Sequence, residues 1–316
     1  MNIQKRLKPN IKKILIIILL LLLITGCTKQ LQSKDKKPVQ NKETGQNLIE
    51  NIMCQPTNKD TIELYKENGI DIKKLPKCED FKINSGNYED LWTSIFIKPL
   101  AFLLIIFGKN IGNYGISLII VTLLIRIIAY PFTRRTAMQS ELMKKAQPEI
   151  TRIQKKYENK QDQESMMKQS QEMMMVYKKY NIKPMSGCIF SFIQLPLFIA
   201  FFEAVQRTPA LFEDKLLKLQ LGTTPIFGIK TSFAIAYIIL ILLIAGTTYF
   251  SFMMTMKDQP NQDSSMKMMP YMMTGMIIVT GLYMPSALGI YWVISNLFTI
   301  IQNLLVKRSK IQYGKN

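Results

Sequence analysis

Histidine is absent from all 316 residues. With it go the commonest general base near neutral pH and the commonest metal ligand, so catalytic and metal-centred readings start from little. Acidic residues are also scarce, 22 Asp+Glu against 41 Lys+Arg. None lies in the interior of the long apolar runs. A nucleophile–base pair or a metal cluster within a membrane cannot be assembled from what remains. The chain is therefore read as a non-enzyme, with no catalytic residues, no metal site and no cofactor. Cysteine is limited to Cys27, Cys54, Cys78 and Cys188, too few for a densely stapled domain. The net charge of +19 admits nucleic acid or an anionic membrane surface as partner. Yet the basic residues form no single patch with interleaved aromatics, and Lys, Ile and Asn are abundant together, as in chains of biased base composition. No nucleic-acid binding is expected.

What is present is apolar sequence in blocks. Apolar residues make up 48% of the chain and are concentrated in runs, the signature of a membrane protein. At the N-terminus Lys5, Arg6, Lys8, Lys12 and Lys13 precede the run Ile14–Ile24, followed by Thr25-Gly26-Cys27. Eleven apolar residues are short for a hydrocarbon core of roughly 30 Å. A basic region, a short apolar run and small residues before a cysteine instead match a bacterial lipoprotein signal. Residues 1–26 are read as a signal peptide and Cys27 as the acylated residue, its chains adding about 0.8 kcal/mol per buried CH₂. Residues 27–90 are polar and read as a lipid-anchored, partly disordered extracytoplasmic segment. Cys54 and Cys78 would then share an oxidising compartment; a disulfide and two free thiols both remain open.

The character changes at residue 91. Leu91–Phe107 is apolar but interrupted by Lys98-Pro99, which reads as a break. An amphipathic helix in the outer interface (91–110) is the expectation, with a sixth span as its rival. Five spans follow, at 115–132, 185–205, 232–254, 268–283 and 286–306. The last two come from one 39-residue stretch, Met268–Val306, roughly 58 Å long as a helix and so about twice the membrane core. Pro285-Ser286 supplies its turn. Residues 134–183 carry twelve Lys/Arg against six acids, and the tail 309–316 follows Lys307 and Arg308. Both belong in the cytoplasm by the positive-inside rule. Five spans with Cys27 outside satisfy this; a sixth at 91–107 reverses it.

Arg126 lies mid-span among Leu, Ile and Val, where an arginine costs about 2.5–3.5 kcal/mol on the insertion scale. The nearest carboxylate in any span is Glu203, close to an outer end. Thr122, Arg126 and Thr133 recur at helical spacing. So do Trp292, Asn296, Thr299 and Asn303, with Ser295 and Gln302 at the edge of that stripe, and Ser191 lies three residues from Gln194. Singly, such residues bond between helices. Together with one unpaired arginine they imply a shared hydrophilic cavity. Residues 134–183 have room for two antiparallel helices broken around Glu158–Asp162, and bear Met138, Met143, Met166, Met167, Met173, Met174 and Met175. Methionine suits contact with varied apolar partners, although about half of these should pack between the two helices.

Three stretches carry a resemblance. Asn113-Tyr-Gly-Ile-Ser-Leu-Ile-Ile-Val-Thr-Leu-Leu-Ile-Arg126 to Pro131 resembles the first core span of the YidC/Oxa membrane insertases. Tyr177-Lys-Lys-Tyr-Asn-Ile-Lys-Pro184-Met-Ser-Gly187-Cys188 through Gln194-Leu-Pro196 is similar to their second signature. Pro285-Ser-Ala-Leu-Gly-Ile-Tyr291-Trp292 to Asn296-Leu-Phe and Gln302 is similar to the third. Together they cover about residues 90–308, in order. The resemblance implies an all-α membrane protein with five transmembrane helices around a hydrophilic groove, a cytoplasmic hairpin and an insertase core over 111–308. It implies that Arg126, with Thr122, Gln194, Trp292 and Asn296, lines a groove open to cytoplasm and lipid. Nascent membrane-protein substrates, the lipid bilayer, the Sec translocon and the ribosome are the implied partners, and chaperone-like help in folding the implied activity. The lipoprotein start resembles the Gram-positive type. The short tail lacks the long basic ribosome-binding extension of mitochondrial members. The competing class is a transporter or channel subunit, which usually shows internal repeats that this sequence does not.

Overall fold

The computed structural model describes residues 28–160, 162–183, 186–256 and 264–313. The signal peptide and Cys27 lie outside the described residues, as do the side chains of Cys188 and Ser191. The chain forms two compact units, residues 1–118 with 196–223 and residues 119–195 with 224–316.

The first unit contains α1 (Lys59–Glu67), a π turn (Thr93–Ile97) running directly into α2 (Lys98–Ile111), and a two-residue hairpin of β1 (Lys215–Leu216) and β2 (Leu219–Gln220). Residues 28–90 are not the partly disordered segment expected from their polarity. Leu31, Val39, Leu48, Ile52, Tyr65 and Ile72 are buried together with Phe212, which lies 140 residues beyond Ile72. These apolar residues are too widely and irregularly spaced to show a period, but long-range contact gathers them into one core. Cys54 and Cys78 are joined by a disulfide.

Lys98-Pro99 does not break its helix, a second correction. Pro99 sits in the first turn of α2, where a missing N–H is tolerated. The Lys98 side chain is buried, its Nζ donating to the carbonyls of Ser85 at 2.8 Å and Asn87 at 3.2 Å. A charge with two fixed acceptors no longer needs bulk water. The helix ends at Gly112, whose φ of +75° gives the left-handed cap that glycine adopts without strain.

The next helix, α3, runs unbroken from Tyr114 to Tyr157, 44 residues including Pro131 and Pro148. Asn113 Oδ1 accepts from the Ile116 amide at 2.8 Å and caps its start. The expected span 115–132 and the first arm of the hairpin are thus one rod of about 66 Å. The second arm is α4 (Gln163–Lys179), capped by Asp162. Ala146, Ile150, Val176 and Ile182 form the seam between the arms, with Met143 and Met173 packed against it. Met138, Met166, Met167, Met174 and Met175 are exposed. Ion pairs close the arms at both ends, Lys156 to Glu172 and Lys179 to Glu149, each at 2.6 Å.

The remaining long helices are α5 (Ser186–Arg207), α6 (Ala234–Met256), α7 (Ser264–Tyr283) and α8 (Ser286–Tyr313). The break between α7 and α8 falls at Met284-Pro285. Gly289 lets α8 approach α6, since a Cβ there would meet Ile244 at 2.9 Å. Among the described residues four helices are long and apolar enough to cross a membrane: Thr93–Ile111, the apolar part of Tyr114–Tyr157, Ala234–Met254 and Ser286–Arg308. Tyr271–Tyr283 is a shorter apolar helix. The large side chains of α6 that face outward, Ile235, Ile239, Leu242 and Phe250, suit a hydrocarbon environment rather than water.

Candidate functional site

The second unit places one cationic side chain in its apolar half. Arg126 is 7% exposed, and its Nε is buried with no protein acceptor. The Tyr291 hydroxyl of α8 is the group that faces the guanidinium with a hydrogen bond. That hydroxyl also accepts from Gln194 Nε2 at 3.1 Å. Three helices therefore converge on one phenol: α3 through Arg126, α5 through Gln194, α8 through Tyr291 itself.

Beside Arg126 lies a cavity of about 100 Å³. A single water needs on the order of 10–15 Å³ of such space, so several fit. On the α3 side it is lined by Arg126, Thr133, Thr136, Ala137, Ser140 and Glu141, and on the α8 side by Thr299, Gln302, Asn303 and Val306, with Met254 from α6. The spacings of seven, three and four keep each set on one helix face for several turns. Thr133 Oγ1 donates to Gln302 Oε1 at 2.9 Å and joins the two sides. Glu141 at the far end pairs with Lys144 at 3.0 Å, and Lys144 Nζ also donates to the Met254 carbonyl at 2.8 Å. The result is a polar strip leading from a desolvated arginine to the root of the charged hairpin.

The residues singled out from sequence fall in different places. Arg126 lines the cavity, and so do Thr133, Thr299, Gln302 and Asn303 of the polar stripes. Gln194 bonds the tyrosine that faces Arg126. Thr122 is fully buried in α3. Asn296 donates to Thr248 Oγ1 at 2.9 Å, a bond between α8 and α6 rather than a cavity wall. The Trp292 ring packs at Gly281 of α7, 3.9 Å from where a Cβ would stand. Glu203, the acid nearest to a span interior, accepts from Trp92 Nε1 at 3.2 Å within the first unit. Sequence reasoning missed Tyr291 and Glu141. Neither carries a signal of its own: Tyr291 is one aromatic in an apolar stretch, and Glu141 is one of the six acids of 134–183. Among the described residues no group of His, Cys, Asp or Glu could hold a metal ion.

An apolar helical bundle with a desolvated arginine on a polar strip defines a multi-pass membrane protein with a hydrophilic cavity. A family model described as the 60Kd inner membrane protein matches residues 106–313. The membrane protein insertase YidC 2 of Listeria innocua is 35% identical over 216 residues, 68% of this chain and 71% of its own length. The membrane protein insertase MisCA of Bacillus subtilis is 34% identical over 222 residues, 70% and 81% of the two chains. A crystal structure of an active YidC insertase with its first transmembrane domain resolved superposes with a TM-score of 0.51 at 20% identity. The match covers 77% of this chain and about half, 52%, of that one. The chain belongs to the 60Kd inner membrane protein family. The transporter reading finds no support in these relatives.

Proposed function

We propose that this protein is a membrane protein insertase and folding chaperone that works through the cavity at Arg126, with nascent membrane proteins as substrates. The observation that carries the reading is the buried, incompletely satisfied guanidinium beside a polar strip. A buried N–H without an acceptor is costly, and a hydrated cavity is the arrangement that removes the cost. Two opposite unit charges about 4 Å apart attract by about 4 kcal/mol at an effective dielectric near 20, and by far less in bulk water. Arg126 therefore draws acidic or polar substrate segments inward while apolar ones move into lipid. The chemistry asked of the protein is hydration and attraction, which needs neither cofactor nor metal. The exposed methionines of the hairpin suit a first contact with varied apolar segments. The Sec translocon and the ribosome are the partners such a role calls for.

The membrane arrangement belongs to the same proposal: Cys27 lipidated outside, five spans at 115–132, 185–205, 232–254, 268–283 and 286–306, hairpin and C-terminus in the cytoplasm. Residues 93–111 then lie in the outer interface. Their length of about 28 Å would also permit crossing. The charge of 134–183 supports the interfacial placement, because one more span would carry twelve Lys/Arg outside.

Complementation of an insertase-depleted strain, scored on substrate pairs differing by one acidic residue, tests the mechanism. Arg126→Lys keeps the charge without the planar fork and should retain most function. Arg126→Ala should impair the acidic substrate more than its neutral twin, and Arg126→Glu should be worse. Equal insertion of both twins by wild type and Arg126→Ala overturns attraction as the mechanism.

A further inference from the structure

The cavity is dipolar. Its deep end holds Arg126 and its outer end holds Glu141, both in its wall. They stand on one unbroken helix, fifteen residues apart, which is about 22 Å at 1.5 Å per residue. Attraction of acidic segments by Arg126 leaves Glu141 without a role, since a carboxylate at the mouth repels those same segments. Its surroundings suggest a different one. The Glu141 and Lys144 side chains are 24% and 14% exposed, partly shielded yet reachable from solvent. Lys144 has a second acceptor, the Met254 carbonyl at 2.8 Å. If Glu141 turns to another cation, Lys144 still has an acceptor and no buried charge is stranded.

We propose that Glu141 is a specificity-determining residue that holds a basic residue of the substrate on the side that stays behind, while Arg126 takes an acidic residue on the side that crosses. This rests on the insertase reading above and names its substrate class. The preferred substrate is an apolar segment with an acid before it in the direction of translocation and a Lys or Arg after it. A separation of 22 Å corresponds to about fifteen residues if the segment is helical, or about seven if it is extended. In the resting protein Lys144 occupies the place of the substrate cation. Exchange between the two costs little, because each is a part-exposed ion pair. The cavity thereby reads the same charge asymmetry that orients membrane helices in general.

The test uses the full-length protein in proteoliposomes and a single-span substrate with its acidic residue constant and its retained flank carrying Lys, Gln or Glu. Wild type should insert the Lys form two- to five-fold better than the Gln form, the range that a part-exposed ion pair supplies. Glu141→Gln should insert the two equally. Glu141→Lys should invert the order and favour the Glu flank. A folding defect cannot produce that inversion. Retention of the Lys preference by Glu141→Gln, or equal losses on all three flanks, overturns the assignment. Equal insertion of the Lys and Gln flanks by wild type, above protein-free liposomes, overturns the dipole and leaves the insertase reading standing. No insertion above protein-free liposomes overturns both.

Discussion

The amide of Gln194 donates to the hydroxyl of Tyr291 at 3.1 Å, and the same hydroxyl faces the guanidinium of Arg126. A phenol that accepts from two donors fixes its own orientation and holds the arginine side chain toward the cavity. Tyr291→Phe keeps the ring and removes this acceptor from a buried cation. The expected cost is about 1–3 kcal/mol of stability, the penalty for stranding a buried polar group, together with reduced insertion of acidic substrates. Gln194→Ala should cost less, because it removes a donor and leaves Arg126 its acceptor. Thermal unfolding in detergent and insertion assays on both variants check the ranking; a Gln194→Ala effect larger than that of Tyr291→Phe would contradict it.

Arg207 is 1% exposed and is the first unit's principal tie. Its Nη2 donates to both carboxylate oxygens of Glu89 at 2.6 and 2.7 Å, its Nη1 to Thr93 at 3.2 Å, and its Nε to the Asn51 carbonyl at 2.8 Å. The Met53 amide donates in turn to the Arg207 carbonyl at 2.9 Å. Glu89 is 38% exposed and can return to water, so the cost of losing Arg207 is that of leaving its buried hydrogen-bond partners unmet, about 1–3 kcal/mol. Arg207→Ala should therefore release residues 51–93 to protease while leaving the hairpin resistant. Arg207→Lys has one nitrogen in place of the three that reach Glu89, Thr93 and Asn51, and should fall between wild type and Arg207→Ala.

The hairpin responds to pH through its end staples. The Lys156 ammonium and then the Tyr157 hydroxyl hold Glu172 below its ordinary 4.5, and Lys179 and then Tyr180 do the same for Glu149. A carboxylate depressed in the folded state contributes stability that is complete above its unfolded value and lost as pH falls through the folded one. Spin labels on the two arms should thus report a closed hairpin at neutral pH that loosens below about pH 4.5. Glu149→Gln with Glu172→Gln should abolish this acid-dependent step. Both pairs are exposed, so high salt should weaken them as well.

Sidedness has its own test. Cysteine introduced at Ser165 in the hairpin should react only with reagents admitted to the cytoplasm, and cysteine at Gln220 in β2 only from outside. Labelling of Ser165→Cys from outside in intact cells would place residues 93–111 across the membrane.

The sequence by itself determined the class. Apolar runs of membrane length, the Pro285-Ser286 turn and the mid-span position of Arg126 are local properties, set by composition and spacing, and they describe a helical membrane protein with one costly charge. The methionine-bearing hairpin was legible for the same reason, since its break lies between two helix-length segments. The tertiary structure decided what no local pattern encodes. The core of residues 28–90 is completed by Phe212, a contact across a long stretch of chain, so its apolar residues carry no period of their own. Lys98-Pro99 reads as a helix break until Ser85 and Asn87 supply acceptors for the ammonium group. Asn296 and Trp292 sit on the polar stripe of α8, yet the way α8 packs turns them toward α6 and α7. Tyr291, an ordinary aromatic in sequence, becomes the hydroxyl facing Arg126 only because α3, α5 and α8 converge. Spacing places residues on a face; packing alone selects which face meets which partner.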